Sequence, residues 1–198
     1  MVDAPAEQPT GRSRAKADRR DALLTAAARL FAARGFNGVS IEDLGSAVGI
    51  SGPAVYRHFS GKQAVLAALL IGVSDDLLGG GLAVVDGAAD DTAALRALIR
   101  FHTDFALSNP EVIRVQDRDL ESLAEDDSHA VRTLQRRYVE LWVGVLARRH
   151  PRENTAVLRM RAHATFGLLN STPHWSSRSL PRATMRGELE SMAWALLG

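Results

Sequence analysis

The residue types that could do chemistry are concentrated in residues 40–62, where serine, tyrosine, arginine, histidine and lysine follow one another closely. The apolar spacing within residues 41–48 predicts a short helix, and Ser40 followed three residues later by Asp43 resembles a capping box at its start. Gly49 ends this helix in a turn that favours glycine. Ser51 can cap a second short helix, with Pro53 in its first turn. Two short helices joined by a tight turn are typical of a helix-turn-helix, whose second helix lies in the major groove of DNA.

Residues 40–59, followed by Lys62, resemble the signature of the TetR family of bacterial transcriptional regulators. The most diagnostic part is the pattern Tyr-x-His-Phe-x-x-Lys, which runs from Tyr56 to Lys62. The similarity extends back through residues 19–36 and forward to about Leu70. Beyond that point the chain is similar to the family only in its helical pattern and its length.

The resemblance assigns residues 52–58 to a recognition helix that reads DNA. It implies that five side chains contact the phosphate backbone: Ser40, Ser51, Tyr56, His58 and Lys62. It also implies that four residues read the bases: Gly52, Pro53, Ala54 and Arg57. Of these four, only Arg57 can bind a guanine through two hydrogen bonds. The remaining specificity must therefore come from thymine methyl groups and from DNA shape.

Each of these side chains also has a purely structural explanation. Tyr56 and Phe59 are both candidates for core aromatics; we favour the core for Phe59 and a phosphate contact for Tyr56. If Arg57 does not contact DNA, it is a solvated surface charge. If His58 does not contact a phosphate, it is a capping residue. The sequence alone leaves these alternatives open.

The positive charge of the chain is concentrated near its beginning. The net charge is only +1, but residues 1–62 contain nine Lys or Arg against six Asp or Glu. Five of the nine cations fall within residues 12–20. Residues 1–17, which contain Pro5, Pro9 and Gly11, are predicted to be a disordered basic arm. The arm could reach the minor groove or the DNA backbone, or it could be a solubilising tail.

The apolar pattern predicts helices throughout the rest of the chain and no convincing strand, so the fold class is all-α. The run Gly79–Gly80–Gly81 and Gly87 predict a flexible break. The predicted organisation is a disordered basic arm, a helix-turn-helix DNA-binding domain, a connecting helix, and a ligand-binding and dimerisation domain: residues 1–17, 18–62, 63–80 and 81–198.

The TetR resemblance implies that the second part forms a homodimer and binds a small-molecule effector. The dimer interface would use helices at about residues 152–171 and 182–197, and an intramolecular core is the less favoured explanation of their apolar residues. Polar or aromatic residues at inward positions are the candidate effector ligands: His102, Phe105, Trp142, His163, Phe166, Asn170 and Trp175. Arginines of this region would suit an anionic effector such as an acyl-CoA.

Ordinary structural roles compete with this interpretation of the second part. His102 is equally explained as a hydrogen-bonded core histidine, and the stripe that contains His163 and Asn170 as a dimer contact. The charged residues 116–119 are predicted to be solvated.

Composition and spacing argue against several other classes of protein. With 46% apolar and 24% charged residues, the 198-residue chain has the composition of a globular protein. It has no cysteine, which excludes disulfide scaffolds and thiol catalysis. No histidine pair has the HExxH spacing, and no phosphate-loop motif follows the glycine run. We therefore expect neither an enzyme nor a metal or cofactor.

Two further patterns concern location. The uncharged run at residues 64–74 is much shorter than the ~20 residues of a membrane span, and arginines precede and interrupt the first apolar stretch, unlike a secretory signal. A cytoplasmic protein is expected.

Together these patterns predict a homodimeric regulator that binds a palindromic DNA operator, most simply a repressor released by its effector. Release would follow when the effector shifts the helix at residues 62–78 and moves the two recognition helices apart. The alternative is a helical ligand-binding or protein-interaction module whose helix-turn-helix no longer reads DNA. The poverty of hydrogen-bonding groups at residues 52–54 is what supports that alternative.

Overall fold

The computed structural model describes residues 11–174 and 180–198, and within them every regular element is helical. The all-α prediction is confirmed. The α-helices of this described part are α1 (Gly11–Arg34), α2 (Ile41–Ala47), α3 (Gly52–Val55), α4 (Lys62–Asp86), α5 (Asp91–Ser108), α6 (Pro110–Asp119), α7 (Glu125–Arg149), α8 (Thr155–Leu169) and α9 (Arg182–Leu197). Two short 3-10 segments follow α6 and α8, at Leu120–Ser122 and Thr172–His174.

Helix α1 begins at Gly11, so residues 11–17 are helical and the prediction of a disordered arm is wrong for them. Residues 1–10 of that arm lie outside the described part. The helical start has a physical cause, because Ala, Arg and Lys are good helix formers. Two of the five cations within residues 12–20 contact other residues of the protein. Arg19 Nη1 donates to the carbonyl of Val48 at 3.0 Å, and the Arg20 guanidinium lies 4.3 Å from the ring centre of Phe59.

Helices α1 to α3 and the first half of α4 enclose one apolar core, which we call the head core. Phe59 is 5% exposed within it, so its assignment to the core is confirmed. Gly49 ends α2 with φ +71°, a left-handed conformation that suits glycine. This turn sets α3 against α2.

Helix α4 runs without interruption from Lys62 to Asp86, so the predicted break at Gly79–Gly80–Gly81 is wrong. Gly80 and Gly81 instead allow neighbouring aromatic rings to pack closely against the helix backbone. A Cβ atom on Gly81 would lie 2.6 Å from the ring of Tyr138, and the ring of Phe101 lies similarly against Gly80. Glycine in the middle of this helix therefore lets α5 and α7 approach its backbone.

By length and composition α4 would also pass as a membrane-spanning helix, with a mean hydropathy of 1.7. Its buried residues nevertheless pack inside the fold. Leu66 and Leu70 lie in the head core, and Leu78 lies in the second core described below.

The second core, which we call the body core, is formed by α5, α7, α8 and α9. Helix α6 does not belong to it, because Val112 and Val115 are buried in the head core together with Leu123 and Val131. The predicted domain boundary near residue 80 assigns every later helix to the second domain. In three dimensions, α6 and the start of α7 pack with the head.

The prediction that the charged residues at the end of α6 are solvated is wrong for Asp119, which is buried, whereas Arg118 is exposed but hydrogen-bonded. Arg118 donates to both carboxylate oxygens of Asp119, at 3.1 and 3.0 Å, and Asp119 is buried. It also donates to the main-chain carbonyls of Phe31 and Ala32, in the last turn of α1. The hydrogen bonds to Asp119 raise the pKa of Arg118.

Candidate DNA-binding surface and effector cavity

Helix α3 spans only Gly52–Val55, and one further turn continues it to Phe59. In that turn the amide of His58 donates to the carbonyl of Val55 at 2.8 Å. Val55 and Phe59 point into the head core, so the residues between them project outward. Tyr56 is 57% exposed and Arg57 is also exposed.

The start of α3 differs from the expectation in two respects. Ser51 occupies the N-cap position, but its side chain makes no capping hydrogen bond, so the predicted cap is wrong. Gly52 is buried, and a Cβ atom there would lie 3.0 Å from Oε1 of Glu42. Gly52 thus faces α2, which corrects its predicted place among the base-reading residues. Pro53 remains exposed and Ala54 is half-buried.

Ser40 caps α2 through the reciprocal arrangement that the sequence predicts. Its Oγ accepts from the amide of Asp43 at 3.0 Å, and Asp43 Oδ2 accepts from the Ser40 amide at 2.9 Å. The Ser40 hydroxyl also donates to this carboxylate. The backbone hydrogen bond from Ser40 is the main reason why the pKa of Asp43 is lowered. The exposed Ser40 hydroxyl is therefore fixed in position at the start of α2.

Lys62 and His58, two of the predicted phosphate contacts, are only partly exposed. Lys62 Nζ donates to the carbonyl of Phe36 at 2.8 Å and lies 4.4 Å from the centre of the Phe36 ring. This uses one of the three donors of the ammonium group. His58 is half-buried, and its Nδ1 has no hydrogen-bond partner among the residues that the structure describes.

The Arg57 side chain, by contrast, is free to bind a ligand. Across residues 11–174 and 180–198 it has neither an ion pair nor a side-chain hydrogen bond. With Ser51, Pro53 and Tyr56 it forms an exposed surface, which we call the α3 face. A positive, hydrogen-bonding surface on a short helix is suited to a DNA groove.

A cavity of about 190 Å³ lies where α4, α5, α6, α7 and α8 meet. Four of the predicted effector ligands line it: His102, His163, Phe166 and Asn170. The other residues that line it were not predicted: Ser74, Leu77, Gln116, Gln135, Tyr138 and Val139. The available signal was the spacing of the three α7 residues, which places them on one helix face.

Two other predicted effector ligands, Phe105 and Trp142, do not line this cavity. Phe105 lines a separate groove with Phe101 and Asp104. Trp142 is completely buried in the body core, where its ring packs edge-on against Phe166 at 5.0 Å and thus supports the cavity wall from behind. Trp175 lies outside the described residues.

His102 is the centre of a buried hydrogen-bond chain. Its Nε2 lies 3.1 Å from Asn170 Oδ1, and its Nδ1 lies 3.2 Å from the Tyr138 hydroxyl. An amide oxygen only accepts, so Nε2 carries the proton and Nδ1 accepts from Tyr138. Burial lowers the pKa of His102 to about 4 and raises the pKa of Tyr138. Both side chains are neutral at pH 7.

The arginine that was expected near the effector is engaged on the outer surface. Arg159 donates to both carboxylate oxygens of Glu140, at 2.8 and 2.9 Å, and this pairing lowers the pKa of Glu140. Arg159 does not line the cavity. The arginines that we expected to suit an anionic effector are thus absent from the residues that line this cavity.

Helices α8 and α9 present an apolar outer surface, which we call the α8–α9 face. Met160 is 61% exposed, and Met192 and Leu196 are 44% and 46% exposed. Ala164 and Gly167, which are small, are exposed beside them. Leu189, Ala193 and Leu197 on the other side of α9 lie in the body core, so the two sides of this helix have different surroundings.

Two family profiles match the sequence. Residues 23–69 match the profile described as bacterial regulatory proteins, tetR family, and residues 88–179 match a tetracyclin repressor-like C-terminal domain. The chain is 30% identical over 147 residues to the HTH-type transcriptional repressor KstR2 of Rhodococcus jostii. That match covers 74% of this chain and 70% of the relative.

Solved structures share the fold. A TetR-family regulator from Bordetella parapertussis superposes with a TM-score of 0.79 at 23% identity, over 89% of this chain and 94% of that one. AibR, solved in complex with isovaleryl coenzyme A and operator DNA, superposes with a TM-score of 0.73 at 20% identity, over 88% of this chain and 97% of that one.

Proposed function

Since the chain belongs to the TetR family of bacterial transcriptional regulators, we propose that it is a homodimeric repressor released from a palindromic operator by a small-molecule effector. One observation carries the proposal: α4 joins the exposed α3 face to the cavity. Its first residue follows the α3 face, and Ser74 and Leu77 on the same helix line the cavity. The protein would act in the cytoplasm, where its operator is.

On the DNA side, the α3 face reads the groove. Arg57 supplies the one guanidinium that can bind a guanine edge through two hydrogen bonds. Tyr56 and Ser51 contact phosphates through their exposed hydroxyl groups, and Ser40 does so from the start of α2. The contacts proposed for His58 and Lys62 are weaker, since Lys62 also holds the Phe36 carbonyl.

One recognition helix reads one half-site, so a palindrome requires a second copy of the chain. The α8–α9 face supports a homodimer through these two helices. Exposed methionine and leucine side chains beside Ala164 and Gly167 allow helices of a partner copy to approach closely. Burying Met160, Met192 and Leu196 in such an interface would contribute favourable hydrophobic energy.

The position of the cavity supports a mechanism for release. Ser74 and Leu77 of α4 and Gln116 of α6 line one side, and both helices contribute to the head core. The other lining residues come from α5, α7 and α8. An effector in this space pushes the head away from the body and changes the separation of the two α3 faces. A coupling of ~1–3 kcal/mol between the two sites is typical of such systems.

The acyl-CoA class is the first to test as effector. AibR is similar in fold and was solved with isovaleryl coenzyme A. An anionic headgroup would have to remain outside the cavity, near the exposed His163 or Arg159, because no arginine lines the interior.

Fluorescence anisotropy with labelled DNA from the region upstream of the gene tests the proposal. We expect nanomolar binding to a palindrome that weakens by orders of magnitude as salt rises. Arg57→Ala should weaken binding at least tenfold. The matched control is Arg100→Ala, since Arg100 is an equally exposed arginine on α5.

The opposite result is micromolar binding that is indifferent to sequence. A selection from random DNA would then separate a distant operator from a DNA-binding head that no longer functions. Failure of that selection would favour the ligand-binding or protein-interaction module.

A further inference from the structure

The second and third turns of α1 carry a row of cations on one face. Lys16, Arg19 and Arg20 are all exposed, and their spacing of three and four residues makes them neighbours on the helix surface. We call this surface the α1 basic face. Asp18 is two residues from both Lys16 and Arg20 and so lies on the opposite side of the helix. Asp21 lines a groove that α1 forms with α4 and α6. The acidic residues of this segment therefore lie away from the basic face.

The α1 basic face borders the α3 face, because two contacts hold α1 against the ends of α3. Arg19 Nη1 donates to the carbonyl of Val48, at the end of α2, at 3.0 Å. The Arg20 guanidinium lies 4.3 Å from the ring centre of Phe59, in the turn that continues α3. Val48 precedes α3 and Phe59 follows it, so the two arginines lie beside the two ends of this short helix.

Arg20 is held in place while its hydrogen-bond donors remain free. Its guanidinium lies over the ring of Phe59, which is 5% exposed and fixed in the head core. The attraction to the ring uses the charge of the cation and requires no acceptor. Among the residues that the structure describes, the Arg20 side chain has neither a hydrogen bond nor an ion pair. Its five N–H donors are thus positioned at the surface without an acceptor.

A DNA phosphate supplies the charge and the acceptors that this face lacks. The donor fork of arginine matches the geometry of phosphate oxygens. Arg19 has one of its five donors on Val48 and four that remain. Lys16 adds a third positive charge at the exposed surface. When α3 lies in a groove, the phosphates at the edge of that groove come close to the ends of α3, where Arg19 and Arg20 lie.

We propose that the α1 basic face binds the DNA backbone beside the groove that α3 enters, and that Arg20 donates to a phosphate from its place over the Phe59 ring. The inference rests on the proposed function for the identity of the ligand as duplex DNA. It adds to the DNA interface a surface outside the helix-turn-helix. Phosphate contacts carry no sequence information. This surface therefore raises the affinity for any duplex and orients the α3 face on the operator.

The salt dependence of DNA binding tests this surface. Lys16→Gln combined with Arg20→Gln removes two exposed cations. The slope of log affinity against log salt should become shallower by ~0.9 for each lost phosphate contact, and thus by about 2 for each bound protomer. At physiological salt the affinity should fall at least tenfold. Arg100→Gln combined with Arg137→Gln is the matched control, because it removes two exposed charges from α5 and α7. An unchanged slope in the α1 variant, or an equal change in both variants, would overturn the inference.

Two single substitutions separate phosphate binding by Arg20 from its packing on Phe59. Arg20→Lys keeps the positive charge and loses the donor fork, so we expect the wild-type slope with an affinity that is several-fold lower. Arg20→Gln should lose ~0.9 of the slope. If Arg20 only covered the Phe59 ring, both variants would lower the melting temperature and neither would change the slope. That result would overturn the assignment to Arg20.

Neutral methylphosphonates, placed one at a time in the duplex, locate the contact. At one or more positions in each half-site the neutral group should weaken binding by the wild type and by the control variant. It should not weaken the Lys16→Gln and Arg20→Gln variant further, because that contact is already lost. Equal sensitivity of the three proteins at every position would contradict the proposal.

A palindromic operator and a duplex of random sequence keep the two proposals distinguishable. A protein that prefers the operator, and whose slope is the same in the α1 variant, would refute the α1 basic face alone. A protein without sequence preference, whose slope on the random duplex becomes shallower in the α1 variant, would refute the sequence-specific regulator alone.

Discussion

Gln116 and Arg118 lie close together on α6, yet they serve different parts of the molecule. Gln116 lines the cavity, whereas Arg118 donates to the carbonyl of Phe31 at the end of α1. The guanidinium complements the negative end of that helix, and Asp119 holds it in place. Helix α6 is thus attached to the DNA-binding head by a charged contact as well as by apolar packing.

The first prediction concerns this contact. Arg118→Gln should lower the free energy of unfolding by about 1–3 kcal/mol, because the buried Asp119 carboxylate and the α1 carbonyls lose a charged donor. It should also loosen the angle between head and body. We therefore expect the variant dimer to bind operators with one base pair added or removed at the centre more nearly equally than the wild type does.

Urea denaturation and anisotropy measure the two effects. Arg114→Gln is the matched control on the same helix, because Arg114 donates to the carbonyl of Pro173 instead. If Arg118→Gln keeps the wild-type preference for one operator spacing, apolar packing alone sets the angle between the head and the body.

The second prediction concerns Tyr56. Tyr56→Phe should weaken operator binding several-fold, because the hydroxyl can no longer contact a phosphate. It should leave the free energy of unfolding unchanged, since the ring is 57% exposed. Anisotropy and urea denaturation on one preparation check both statements, and a fall in stability without a change in affinity would place Tyr56 in the core.

The third prediction is a pH dependence of stability that arises from His102. Its pKa is about 4 in the folded protein, against the ordinary value of 6.5. Between these values the unfolded chain binds the proton and the folded protein does not, so stability falls as pH falls from 6.5 to 4. The loss from this group by pH 5 is about 2 kcal/mol, from ~1.4 kcal/mol per pKa unit.

Urea denaturation at pH 7 and pH 5 measures that loss. His102→Gln should be less stable at pH 7, because Tyr138 and Asn170 lose a partner, and it should show a smaller difference between the two pH values. An unchanged difference would assign the pH dependence to other groups.

The fourth prediction uses two glycines of α4. Gly79→Ala should stabilise the protein by about 0.5–1 kcal/mol, because alanine favours the helix and no atom lies within 4 Å of the new methyl group. Gly81→Ala should destabilise it, because the methyl group would lie 2.6 Å from the Tyr138 ring. Thermal unfolding of the two variants gives opposite signs, and equal shifts would contradict the packing.

The fifth prediction concerns the proposed homodimer. Met160→Glu should shift the protein toward a monomer, because a charge in the centre of an apolar interface is unfavourable. Leu82→Glu is the matched control, since Leu82 is 46% exposed on α4, away from the α8–α9 face. Sedimentation velocity measures the mass of each, and two unchanged dimers would exclude this interface.

The parts of this molecule that the sequence predicted are those set by neighbours in the chain. The capping box of Ser40 and Asp43 and the turn at Gly49 depend on residues a few positions apart, and both were recognisable. The role of Arg118 depends on α1, which is distant in the chain, so composition and spacing could not predict it. The glycine run of α4 wrongly predicted a break for the same reason. The rings of Phe101 and Tyr138, which pack against Gly80 and Gly81, belong to helices distant in the chain.

The division of the cavity walls between head and body also bears on how such a protein can diversify. Most of the lining residues lie on α5, α7 and α8, whose core residues belong to the body core except for Val131 at the start of α7. Substitutions there can change the preferred effector while the operator sequence stays the same. The few lining positions on α4 and α6 have no such freedom, because they are tied to the head. A regulator that responds to a new effector can thus evolve at an unchanged operator through substitutions on one side of a single cavity.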